Sequence, residues 1–163
     1  MITGETGYQY LQAAILSILA LILQISFVPL VEIGAWRPDL IILVVIFIAL
    51  RHGAAGGTIA GFLLGILQDT FSPHPVGISA LANTITGFLA GQVRPLKLAF
   101  NARILALILL ILIQGSLFFL IYQIQTDVSF LYLVATRVFP NTIYTFIIAI
   151  LLSVFLRTQI DQI

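Results

Sequence analysis

From Ile104 to Ile124 the chain runs for 21 residues without a charged side chain, and Leu11 to Leu30 gives another such run of 20. A helix of that length rises about 30 Å, the thickness of the hydrocarbon core of a bilayer. Runs of this kind constrain the fold more than any motif, because a water-soluble globule would have to bury all of them at once. Composition closes off that route: 61% of the residues are hydrophobic, 8% are charged, and the mean hydropathy is +1.17. A soluble domain carries roughly 25% charged residues. The chain is therefore expected to be an integral membrane protein, all-α, and a single polytopic unit over residues 1–163.

Four further apolar segments complete the reading. Asp39 to Leu50 follows Pro38, with an acidic residue placed to suit the positive end of a helix. Its apolar part, Leu40 to Leu50, measures only about 16 Å as a helix, so it is short, begins earlier at Trp36, or dips without crossing. Ala54 to Phe71 and Val76 to Val93 follow, the latter rich in small and hydroxylated residues. The last runs from about Val134 to Leu156 and has Pro140 and Asn141 near its start. Six transmembrane helices are expected, or five if the second does not span.

Met1 to Tyr10 carries Glu5 and no Lys or Arg, unlike the cationic start of a secretory signal, so the first helix is expected to be retained. With six spans and an inside N-terminus, inside segments hold Arg51, Arg94, Lys97, Arg103 and Arg157, against Arg37 and Arg137 outside. That bias favours both termini in the cytoplasm, with Arg94, Lys97 and Arg103 forming a basic cytoplasmic loop. The absence of cysteine excludes disulfides and thiolate chemistry. A net charge of +1 leaves no footprint for nucleic acid.

Gly53, Gly57, Gly61 and Gly65 recur every four residues, with Asp69 at the next step. Four residues turn a helix by about 400°, so the series drifts by about 40° per step and winds as a shallow groove. Glycines there let a second backbone approach closely, the usual way helices associate in lipid. Ser79, Asn83, Gly87 and Gly91 repeat the spacing on the next helix. The two series are expected to pack together across the corner Ser72 to Pro75. A sliding or partner-binding seam is the sharper alternative.

Asp69 is expected at the outer edge of its helix, either solvated, contacting a partner, or fixing the corner by a hydrogen bond, with Gln68 sharing its role. Asp39 and Pro38 fall on the same outer rim. His52 and His74 lie toward opposite sides, so no metal site is expected. No nucleophile elbow or phosphate loop is present, which argues against an enzyme. The mid-membrane polar residues, Asn83 first, then Gln24 and Gln114, are not ionisable, which argues against ion-coupled transport.

Arg37-Pro38-Asp39-Leu40 opens a short apolar helix, followed by a small-residue turn, GxxxGFLLGILQD over Gly57 to Asp69, and VGISAL from Val76 to Leu81. This order resembles the rod shape-determining MreD family, over effectively the whole chain and most specifically over residues 37–91. The resemblance implies a non-enzymatic inner-membrane scaffold of the cell-elongation machinery that takes no cofactor. It implies binding to MreC, association with RodA and a class B penicillin-binding transpeptidase, and an indirect link to MreB. It also implies a bundle similar to the S components of energy-coupling-factor transporters. On that analogy an outward cavity near Pro38, Asp39, Gln68 and Asp69 receives a partner segment. The Pro73-His74-Pro75 corner is stiffer than a glycine-serine loop. The alternative function is an S-component-like subunit that binds a small molecule such as a vitamin; an intramembrane enzyme ranks third.

Overall fold

The computed structural model describes residues 3–96, 99–126 and 128–160. Helix α1 runs over Thr3–Ser26 and yields at Phe27 to a single turn, Val28–Val31, with Pro29 near its start. A strap follows, pinched by paired backbone bonds between Ile33 and Trp36 around Gly34.

The next helix, Leu40–Thr70, leaves helical geometry at Gly53, where φ is 79°. Asp39 and Gln68 are 29 positions apart. A straight helix would hold them about 44 Å apart, yet Gln68 Nε2 donates to Asp39 Oδ2 at 3.2 Å. The chain therefore doubles back at Gly53 into two antiparallel arms, α2 (residues 40–52) and α3 (residues 54–70). Helix α4 is Ile78–Val93, followed by a 3₁₀ turn, Arg94–Leu96. Helix α5 is Phe100–Tyr122. Helix α6 begins at Phe130–Leu133, passes through a π turn at Val134–Val138 and continues as Phe139–Ile160. It starts four residues before the expected Val134.

The six expected helices are present, and the short second one is the most enclosed. Ile41, Ile42, Val45 and Ala49 of α2 are fully buried and pack with Leu64 of α3, Ala90 of α4 and Leu110 and Ile111 of α5. A helix that is apolar all round belongs in a core. Around it, α1 exposes Leu11, Ile15, Ile18 and Ile22, and α6 exposes Phe139, Ile143, Ile147 and Leu151. These are stripes at helical spacing facing outward, as a lipid-facing helix presents.

Among the described residues three helices are long and apolar enough to cross a membrane, Leu40–Thr70, Phe100–Tyr122 and Phe130–Leu151, and Tyr10–Ser26 is a shorter apolar helix. The first of the three is the doubled-back pair, whose arms measure about 20 and 26 Å at 1.5 Å per residue.

The glycine series lie at the contact between α3 and α4. A Cβ on Gly57 would fall on the Gly87 carbonyl oxygen, one on Gly61 on the Asn83 oxygen, and one on Gly65 on the Ala80 backbone; one on Gly91 would meet Ala54. Ser79 and Asn83 are buried on the same face of α4. Gly53 serves the fold differently, because its positive φ makes the reversal, and the Arg94 guanidinium lies 3.5 Å from where its Cβ would be. Arg94 and Arg103, both exposed, line a groove at this end together with Ile46 and Leu50. Lys97 lies outside the described residues.

Candidate functional site

Four polar side chains from four helices close a ring at the end of the bundle opposite Gly53. Gln68 Nε2 and Gln114 Nε2 donate to Asp39 Oδ2 at 3.2 and 3.3 Å. Gln114 Nε2 also donates to Asn83 Oδ1 at 3.1 Å, and Asn83 Nδ2 donates to Gln68 Oε1 at 3.1 Å. Residues of this type fit because an amide both donates and accepts, while the carboxylate only accepts. The other oxygen of Asp39 caps α2, accepting from the Ile41 and Ile42 amides at 2.9 and 3.2 Å. Two side-chain N–H donors and the two amides at the helix N-terminus thus offset part of the cost of withdrawing this carboxylate from water.

The remaining helices join at the same place. The Asp39 amide donates to Thr145 Oγ1 of α6 at 3.0 Å. Gln24 of α1 accepts from the Leu40 amide at 2.8 Å and donates to the Pro38 carbonyl at 3.2 Å. Five of the six helices therefore meet at the stretch from Pro38 to Leu40 or its side chains, α2 by beginning there, and α4 joins them through Asn83, which bonds Gln68 and Gln114.

The strap before Pro38 is sewn onto α6. Tyr144 Oη donates to the Val31 carbonyl at 2.7 Å, and an Arg137 Nη to the Ala35 carbonyl at 2.8 Å. Trp36 Nε1 donates to the Thr136 carbonyl at 3.2 Å, and the Arg37 amide to Asn141 Oδ1 at 3.0 Å. Two of these partners, Thr136 and Arg137, belong to the π turn, a distortion often found at functional sites. Arg37 Nε pairs with Glu32 at 2.7 Å.

An exposed acidic tip at Asp69 is not what the structure has. Asp69 is 1% exposed. Its Oδ2 accepts from the Gly77 and Ala80 amides at 2.7 and 3.2 Å, and Oδ1 from the Ser79 amide at 3.1 Å. The carboxylate at the end of α3 thus caps the start of α4 from across the corner, where Gly77 has a φ of 113°. Of the three roles open to Asp69, the structure carries the bond that fixes the corner.

Above the ring lies a cavity of about 330 Å³, open on one side and lined by Pro38, Asp39 and Gln68 but not by Asp69. One wall is aromatic: His74 stands edge-on to Phe118 and Tyr122, with ring centroids 5.5 and 5.4 Å apart, and Phe119 adjoins them. Burial first, and the Arg37 charge second, push the His74 imidazole below its ordinary pKa, with Asp69 pulling partly the other way. The other wall is polar, built by Arg137, Asn141, Thr142 and Thr145 of α6. Among the described residues no group of three His, Asp or Glu side chains is gathered for a metal.

Sequence reasoning placed Pro38, Asp39, Gln68 and Asp69 on one rim, with Arg94 and Arg103 at the other end; the structure keeps the first three together, turns Asp69 to the corner, and adds Asn83, which the sequence had assigned to helix packing. It noted Gln24, Gln114 and Asn141 without giving them a role in the site, used Arg137 only for orientation, and passed over Thr142 and Thr145. The signal was present: a lone amide or hydroxyl in an otherwise apolar span seeks a partner on another helix.

Compared with known protein families, residues 5–161 match the model described as rod shape-determining protein MreD. No curated protein and no solved structure matches the chain.

Proposed function

This chain belongs to the MreD family of rod shape-determining membrane proteins, and on that premise we propose that it is a non-enzymatic scaffold of the cell-elongation peptidoglycan synthesis complex, acting as one polytopic unit in the bacterial inner membrane. It binds MreC and helps to organise or regulate the wall synthase, RodA with its class B penicillin-binding transpeptidase, and is linked to MreB indirectly. The observation that carries this reading is the ring at Asp39. Together with the Gln24 and Thr145 bonds beside it, it ties six helices to one another, so the bundle is a rigid platform whose outer stripes are free to take a single-span partner. The strap and the cavity rim, Pro38 and Gln68 included, offer that partner a polar contact beside the apolar one.

Arg51, Arg94 and Arg103 gather toward the Gly53 end, which supports placing that end, and with it both termini, in the cytoplasm. The cavity then opens outward. Co-purification from detergent-solubilised membranes tests the scaffold. A tagged chain should retain MreC, and its depletion should give round cells. Loss of neither shape nor partner overturns the proposal, and external labelling of either terminus overturns the orientation.

The cavity favours a second reading, a small-molecule-binding subunit like the S components. Depletion would then cause a nutrient requirement instead of rounding.

A further inference from the structure

The cavity wall supplied by α6 is a row of donors whose capacity is only partly used. Arg137 is partly buried, and its guanidinium makes one bond, to the Ala35 carbonyl, with no carboxylate in ion-pair range among the described residues. Thr142 is 5% exposed, lines the cavity, and has no hydrogen-bond partner among the described residues. Asn141 uses its oxygen on the Arg37 amide, which leaves its NH₂ group to the cavity. Arg137, Asn141 and Thr142 fall on one side of α6, at four-residue and one-residue steps.

An unpaired cation beside an apolar wall is costly unless an anion visits it. Both carboxylates that line the cavity are already engaged, since Asp39 receives four N–H groups and Glu32 pairs with Arg37. A ligand for this cavity must therefore bring acceptors to α6 and an apolar face to Phe118 and Tyr122. About 330 Å³ lies at the lower end of the range for small-molecule sites.

We infer that the cavity is a binding site for a small amphiphilic acid, a carboxylate or phosphate monoester on a ring or short apolar body, with the anion held by Arg137, Asn141 and Thr142 and the body against the His74, Phe118 and Tyr122 wall. The inference rests on the cavity taking a small molecule and not on the scaffold role. A scaffold whose partner contact responds to a bound acid satisfies both.

The test is binding to the full chain purified in a neutral detergent, at fixed ionic strength, with benzoate and phenyl phosphate as probes and benzamide as the uncharged control. Both acids should raise the thermal midpoint saturably, and benzamide should bind at least tenfold more weakly. Arg137→Gln should lower acid affinity at least tenfold. Because Arg137 also holds the strap, Thr142→Val is the second variant; it should keep the unliganded midpoint and lose several-fold in affinity. Equal binding of acid and amide, no binding of either acid, or wild-type affinity in both variants overturns the inference. MreC retention, measured on the same preparations, reports on the scaffold independently.

Discussion

The Asp39 carboxylate and the Gln114 amide meet at 3.3 Å although 75 positions separate them in the chain. This contact joins the start of the most buried helix to the middle of α5, which otherwise exposes much of its surface. Polar bonds between membrane helices are individually modest, about 0.6 kcal/mol on average in double-mutant cycles. A closed ring is different in kind, because each deletion strands the partners on both sides.

Asp39→Ala and Gln114→Leu should therefore each destabilise the purified protein, and the double variant should lose less than the sum. A coupling of about 0.5–3 kcal/mol is expected from residues in one network. Thermal or denaturant unfolding of the four species measures it, and strict additivity would show that the two side chains act separately.

Asp69→Ala removes the acceptor for three amides at the start of α4. A lost cap costs about 0.5–2 kcal/mol, so the variant should unfold earlier, with partner retention falling only in proportion to the folded fraction. A selective loss of MreC at full stability would point instead to a direct contact.

Gly61→Ala and Gly61→Leu place carbon on the Asn83 carbonyl oxygen. Overpacking of this kind costs about 1–3 kcal/mol and more when backbone must move. The leucine variant should fail to give a monodisperse peak on size exclusion. Gly7→Ala, at a position with nothing within 4 Å, should behave as the wild type and serves as the control.

His74 binds its proton more weakly in the folded chain than in the unfolded one. Stability should accordingly fall as pH drops through the ordinary histidine pKa of about 6.5 and on to the lowered value. His74→Phe should flatten the thermal midpoint across that window. An unchanged pH profile would remove the histidine as its source.

Much of this was legible because it is periodic. Apolar runs located the helices, and the four-residue steps at Gly57, Gly61, Gly65, Gly87 and Gly91 placed α3 on α4, since those steps are fixed by helical geometry alone. Pro38-Asp39 read correctly as a helix start for the same local reason. Asp69 kept three roles open, because the helix it caps begins beyond a corner whose shape depends on Gly77. Thr142 was hidden by apolar neighbours and Arg137 served only the orientation, and their meeting depends on a cavity that exists only once α6 packs beside the strap.

Because the chain doubles back at Gly53, Leu40 and Thr70 emerge on one face of the bundle. Neither arm offers the insertion machinery a segment as long as the bilayer is thick, so the pair should enter lipid together as a helical hairpin, which in the proposed orientation keeps its polar tip at Arg51 and His52 on the cytoplasmic side while the ends at Leu40 and Thr70 cross. A change in bilayer thickness would then flex a bend instead of tilting a rod, and the Asp39 ring at the far ends of the arms is where that flexing would be felt.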